Sequence, residues 1–96
     1  MRIRYTREAI QDLQRLRAFI AQHDPQAAAR AATDLVRRIE ALAAHPRLGR
    51  PVEQAPAPDV LRDLITPHHV IRYLLHDDTL HILRLWHQRE NLPGGI

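Results

Sequence analysis

Two apolar-rich runs in the last third of the chain, residues 70–76 and 79–87, are separated only by Asp77-Asp78. A two-residue hairpin turn needs left-handed backbone at both central positions, which Asp tolerates better than most side chains. The pattern therefore predicts a β-hairpin, and a hairpin of this length must be covered on at least one face by the rest of the chain. With a two-residue loop, His76 faces Thr79, and the ladder pairs Tyr73 with Ile82, Ile71 with Arg84 and Val70 with Leu85. Alternation then puts Ile71, Tyr73, Leu75, Leu80, Ile82, Arg84 and Trp86 on one face. The other face carries Val70, Arg72, Leu74, His76, His81, Leu83, Leu85 and His87. A β-bulge near Ile82-Leu83 is the alternative; it moves Leu83, Leu85 and His87 to the side of Leu80 and Ile82 and turns Arg84 and Trp86 outward. In either register one face is expected to lie on helices and the other to form a partly apolar, Arg- and His-studded surface open to a partner.

Ninety-six residues allow one modest core, so residues 1–96 are read as a single domain. Cysteine is absent, which excludes disulfides and thiolate zinc sites and suits a reducing cytoplasm. The start, Met-Arg-Ile-Arg-Tyr-Thr, carries charge where a secretion signal needs apolar residues, and no apolar run approaches a membrane span. A soluble, cytoplasmic protein is expected. All fourteen basic residues are Arg. Arg stays protonated, so any proton-abstracting role falls to His, Asp or Glu. The net charge of +3 arises in residues 1–58, where ten Arg face six acids. An excess of this kind favours acidic partners, although a solvated helix surface accounts for most of it.

Residues 2–5 alternate Arg-Ile-Arg-Tyr, a short strand that buries Ile3 and Tyr5. Thr6 is placed to cap a helix over about residues 7–22, with the stripe Ala9, Leu13, Leu16 and Ile20 flanked by Phe19, and with Glu8, Asp12, Arg15 and Gln22 off the stripe. Asp24-Pro25 starts a second helix, about 25–44, whose stripe is Ala28, Ala32, Leu35, Ile39 and Leu42. Its alanine-rich first half lets the two helices approach closely as an antiparallel hairpin. A Pro-rich loop follows to Pro58, in which Gly49 is expected at a positive-φ turn. Residues 60–65 form another strand, and the chain after His87 is expected to fray. The fold class is therefore α+β: a helical hairpin packed on a mostly antiparallel four-stranded sheet, in the order β-α-α-β-β-β.

Several segments in this order resemble one family: Ala9-Ile10-Gln11-Asp12-Leu13, the helix end Ile39-Glu40-Ala41-Leu42-Ala43-Ala44-His45-Pro46, Leu48-Gly49-Arg50-Pro51, Leu61-Arg62, Ile71-Arg72-Tyr73 and the run from Asp77 to His87. Together they are similar to the RelE/ParE toxins of bacterial type II toxin-antitoxin modules. The resemblance implies a toxin held inactive by a cognate, ParD-like or similar antitoxin that folds as it binds. It implies one of two chemistries. RelE-like chains are ribosome-dependent mRNA endoribonucleases, whereas ParE-like chains are associated with DNA gyrase and have no established catalytic set. The ribonuclease pattern reads Tyr-Arg-x-x-Tyr on the central strand and has a tail tyrosine; here Val70 precedes Tyr73 by three residues, Arg72 holds the cation, and the tail position is Leu92. The chain is accordingly read as closer to the ParE-like branch and non-enzymatic. The alternatives are the endoribonuclease and a non-toxic interaction module that keeps the fold.

Cleavage at a 2′-hydroxyl needs a base and a cation that steadies the phosphorane charge. The candidates for that chemistry are His87, Arg84, Arg89 and Arg72. As target-binding candidates the same surface offers Arg72, Arg84, Trp86, His87 and Arg89, with Trp86 a stacking platform or a protein hot spot if it faces outward. Each has a plainer alternative: strand-end packing for His87, solvent-facing strand positions for the arginines, core for Trp86. Tyr73 is read as core with its hydroxyl satisfied locally. Leu16, Phe19, Ile20, Leu35 and Ile39 are core by helical spacing and are also the antitoxin-binding candidates that the resemblance implies. Neighbouring His68-His69 point oppositely on a strand, and no His-Glu-x-x-His is present, so neither a metal site nor a cofactor is expected.

Overall fold

The computed structural model describes residues 1–90. The elements are β1 (Arg2–Tyr5), α1 (Arg7–Ala21), α2 (Pro25–Ala44), β2 (Arg50–Pro51), β3 (Leu61–Ile65), β4 (His69–His76) and β5 (Thr79–His87). They form a five-stranded sheet in the order β1-β5-β4-β3-β2, with β1 parallel to β5 and the other pairings antiparallel. The expected helical hairpin on a mostly antiparallel sheet is present. The additional strand, β2, is two residues long and lies in the Pro-rich segment read as loop; it pairs with Asp63 and Arg62.

Local chemistry explains where the helices start. Thr6 Oγ1 accepts the Ala9 N–H at 3.0 Å and donates to Leu83 O at 2.9 Å, so the same hydroxyl caps α1 and ties it to the sheet. Asp24 Oδ1 accepts the Gln26 and Ala27 N–H groups, and Pro25 follows where no N–H is required. The hairpin turn is as expected, with Asp77 at φ 50° and Asp78 at φ 57°. Ile39, Leu42, Ile71, Tyr73, Leu80, Ile82 and Leu85 are fully buried between the helices and the sheet. No helix among the described residues is long and apolar enough to cross a membrane.

Of the two hairpin registers, the bulged one is observed. His76 pairs with Thr79 and Tyr73 with Ile82, but the ladder then resumes as Arg72 with Arg84, Ile71 with Leu85, Val70 with Trp86 and His69 with His87, leaving Leu83 without a cross-strand partner. The extra residue puts Leu85 into the core alongside Leu80 and Ile82. An unbulged strand would have buried Arg84 there, and burying a charge in place of a leucine decides the register.

Tyr73 braces the loop after α2. Its hydroxyl donates to Pro46 O at 2.7 Å and accepts the Gly49 N–H at 2.8 Å. Arg62 is buried beside it; Nε donates to Gly49 O at 2.7 Å and the guanidinium reaches Asp59 O and Arg47 O. Gly49 is therefore required for close approach rather than for a positive φ, which it does not adopt: a Cβ there would lie 2.6 Å from Tyr73 Oη and 3.0 Å from the Asp63 carbonyl carbon. The turn reading of Gly49 is corrected accordingly. The chain to Glu90 is not frayed either. Gln88 N–H donates to His68 O at 2.9 Å, and the Gln88 side-chain amide donates to Thr66 O. The tail expectation at Leu92 lies outside the described residues.

Gly49→Ala should destabilise the fold by about 1–3 kcal/mol through overpacking. Tyr73→Phe should cost about 1–3 kcal/mol by stranding buried backbone groups. In urea titrations the double variant should cost less than the two single changes added together, because Phe removes the atom nearest the new methyl.

Candidate functional site

The candidate residues are best understood from the edge of β5. β1 pairs with this strand only from Thr79 to Ile82, so the backbone from Leu83 onward has lost its neighbour on that side. Helix α1 takes over. Asp12, 2% exposed, accepts the Leu85 N–H at 2.9 Å, and Arg15 donates to Leu85 O at 3.3 Å. Asp12 also accepts two hydrogen bonds from Arg84, at 2.8 and 3.2 Å, and one from Arg15 at 2.6 Å. Burial pushes the Asp12 carboxyl up, but the hydrogen bonds from Arg84, Leu85 and Arg15 outweigh it and hold the group below the usual aspartate range. The reading of Asp12 as solvent-facing is thus corrected. It sits three residues after Ala9 and four before Leu16, on the buried stripe itself.

Arg84 is consequently fully occupied. Arg72 is occupied too: its Nε and Nη2 make a two-point contact with the Asp63 carboxylate at 2.8 and 2.9 Å, and its guanidinium lies 5.2 Å from the Trp86 ring. Trp86 is half-buried on the face away from the helices, as the bulged register requires. Two of the four ribonuclease candidates are therefore bound to carboxylates rather than turned toward a common point.

His87 and Arg89 remain together, at the open end of the hairpin. Nδ1 of His87 accepts the Arg89 N–H at 3.1 Å, which places the proton of the neutral ring on Nε2. In that state His87 presents a donor, not a free base. Glu90 closes the turn: it accepts the His87 N–H at 2.8 Å and pairs with Arg15 at 3.2 Å. His68 and His69 stand against His87, with ring centroids 6.3 and 5.4 Å apart. Burial, then the neighbouring His87 and His68, push His69 below the ordinary histidine value, against the opposing pull of Glu90 and Asp34. Its Nε2 is buried and has no hydrogen-bond partner among the described residues. No group of three His, Asp or Glu among those residues is placed to hold a metal ion.

These residues rim a groove of about 640 Å³ whose floor is apolar: Leu16, Phe19 and Ile20 from α1, and Ala27 and Ala31 from α2. Sequence reasoning chose three of the floor residues as partner contacts and missed the two alanines, whose small side chains create the hollow. Phe19 is 63% exposed, a large apolar ring left in water at the groove mouth. Ile20 is half-buried there. Leu16, Leu35 and Ile39 are 5%, 2% and 0% exposed and pack in the core, so as antitoxin contacts they are corrected to structural residues. The accessible partner-binding candidates are Phe19 and Ile20.

Residues 3–92 match the family described as ParE toxin of type II toxin-antitoxin system, parDE. Toxin RelE2 of Caulobacter vibrioides is 38% identical over 84 residues, covering 86% of this chain and 90% of that protein. Among solved structures, the chromosomal ParDE system from P. aeruginosa aligns with a TM-score of 0.75 at 24% identity, over 91% of this chain and 95% of that one. The RelBE2 toxin-antitoxin complex of Mycobacterium tuberculosis aligns with a TM-score of 0.64 at 22% identity, over 91% and 96%.

Two pH windows follow from the buried groups. His69 has a folded-state value below its ordinary 6.5, so its contribution to stability is complete above that pH and declines as the pH falls through it. His69→Phe should flatten stability between about pH 7 and 5 in urea titrations, since no proton is then taken up on unfolding. The contribution of Asp12 is present above its ordinary value of 3.8 and is lost as the pH falls below it. Asp12→Ala should cost about 3–5 kcal/mol at neutral pH by leaving Arg84 uncompensated, and should abolish the acid-dependent loss below pH 4.

Proposed function

Because the chain belongs to the ParE toxin family of type II toxin-antitoxin systems, we propose that it is a toxin of the gyrase-binding kind, acting in the cytoplasm by occupying its target rather than by cutting RNA. The observation that carries this reading is the commitment of Arg72 to Asp63 and of Arg84 to Asp12. A general-base cleavage site needs a cation aimed at the scissile phosphate and a nitrogen free to take a proton. Here two candidate cations are neutralised, and the Nδ1 lone pair of His87 is already used by a backbone N–H. What the end of the hairpin offers is a recognition surface: the half-buried Trp86 with Arg72 against it, the donor on His87, and Arg89. Aromatic and Arg side chains of this kind anchor protein interfaces.

In the same reading, a cognate antitoxin silences the toxin by covering the apolar groove at Phe19 and Ile20. The groove is flanked by Arg15, Arg89 and three histidines, so an amphipathic segment with acidic residues beside its apolar stripe suits it. Solved relatives include toxin-antitoxin assemblies, which supports the presence of such a partner.

Induction without antitoxin should produce double-strand breaks and an SOS response while ribosome-bound messages stay intact. Truncated messages that disappear with His87→Ala would replace this reading with ribonuclease action, and normal growth would point to a non-toxic interaction module. Phe19→Asp should leave thermal stability unchanged, because the ring is already in water, and should weaken antitoxin binding at least tenfold by calorimetry.

A further inference from the structure

β1 is the only strand of this sheet that runs parallel to its neighbour, and its other side is an edge. The Arg2 and Thr6 N–H groups donate to Asp78 O and Ile82 O at 3.3 and 3.0 Å. In a parallel ladder, alternate residues bond to the same neighbour. Ile3 and Tyr5 therefore turn their N–H and C=O groups away from β5, toward the open side. No described backbone hydrogen bond outside the β1–β5 ladder engages them. The strand thus presents a short set of unpaired donors and acceptors, the arrangement that accepts an added strand.

The side chains on this edge narrow what can be added. Arg2 and Arg4 are exposed, lie on the face away from the helices and form no ion pair among the described residues. Ile3 and Tyr5 are half-buried against the core on the opposite face, where Glu40 lies near the Tyr5 ring. Pairing β1 with β1 of a second copy would set Arg side chains from both chains on one face at cross-strand distance, which like charges oppose. A strand carrying acidic residues at those alternate positions, and apolar ones toward Ile3 and Tyr5, meets complementary groups on both faces. The two arginines discourage self-association and admit an acidic strand.

We propose that the free edge of β1 is a docking site for an extended acidic segment of the antitoxin, which joins the sheet as a sixth strand. This rests on the reading above that an antitoxin is the partner, and adds to the apolar groove a second, backbone-mediated contact. The added strand supplies hydrogen bonds to Ile3 and Tyr5, while Arg2 and Arg4 select its charge and register.

Residue-resolved amide exchange on the full chain, alone and bound to its cognate antitoxin, tests the proposal. In the free chain Arg4 and Thr6 should be protected, while Ile3 and Tyr5 exchange quickly. In the complex Ile3 and Tyr5 should slow at least 100-fold, with inter-chain NOEs between strand backbone protons. The Arg2→Glu and Arg4→Glu double variant should keep its circular dichroism spectrum and bind at least tenfold more weakly, with a reduced salt dependence. A complex in which Ile3 and Tyr5 still exchange quickly would overturn the added strand and leave the antitoxin reading intact. Protection without inter-chain backbone NOEs, or unchanged affinity in the double variant, would also overturn it. Failure of the two proteins to associate would overturn both.

Discussion

The buried carboxylate of Asp12 is the contact on which the arrangement of this molecule turns. Where β1 ends, β5 continues for several residues with no strand on that side, and an unpaired backbone N–H there would be costly. A helix cannot complete a ladder with its own backbone, since those groups are used internally. A short acidic side chain projecting from the helix can take the place of one carbonyl. Asp12 does so at Leu85, and Arg15 supplies the matching donor one turn later. The carboxylate must itself be compensated after burial, and Arg84 satisfies that need from the bulged strand. Bulge, helix position and ion pair are one solution to one missing strand.

That solution has a functional consequence. A cationic strand surface could serve nucleic-acid cleavage, but the cation nearest the bulge is recruited to hold α1 against β5, and the one across from it is held by Asp63. Structural use removes both from the pool available for phosphate chemistry. The groups still facing outward at the end of the hairpin are His87, as a donor, and Arg89. Recognition by shape and by a few polar contacts is what such a surface supports, and it accords with the ParE toxin family better than with RNA cutting.

Much of the scaffold was legible in the sequence, because it depends on local rules. Asp77-Asp78 tolerates two positive φ values, Thr6 and Asp24 have cap chemistry, and the helical stripes have the right period. What could not be read locally depends on contacts between distant segments. The hairpin register depended on whether Arg84 or Leu85 would face the core, and that depends on Asp12, more than seventy residues away in the chain. Gly49 looks like a turn glycine until the ring of Tyr73 lies across it. β2 has no signal of its own; two residues of a Pro-rich segment become a strand only because Arg62 and Asp63 lie alongside. Leu16, Leu35 and Ile39 shared one apolar pattern with Phe19, and periodicity alone could not separate the side chains packed inward from the one left in water.

The flank of the sheet is therefore divided between two kinds of edge. The outer half of β5 is sealed by charged side chains from α1, in a contact that the fold itself requires. The β1 edge is short, exposed and positively charged, and nothing within the described chain covers it. A sheet that seals one part of its flank so thoroughly has the means to protect the rest, and the paired arginines on β1 guard it only against like-charged strands. Specificity of this sort costs little in stability, because exposed Arg side chains contribute little to the folded state, yet it sets the sign of the strand that can be admitted.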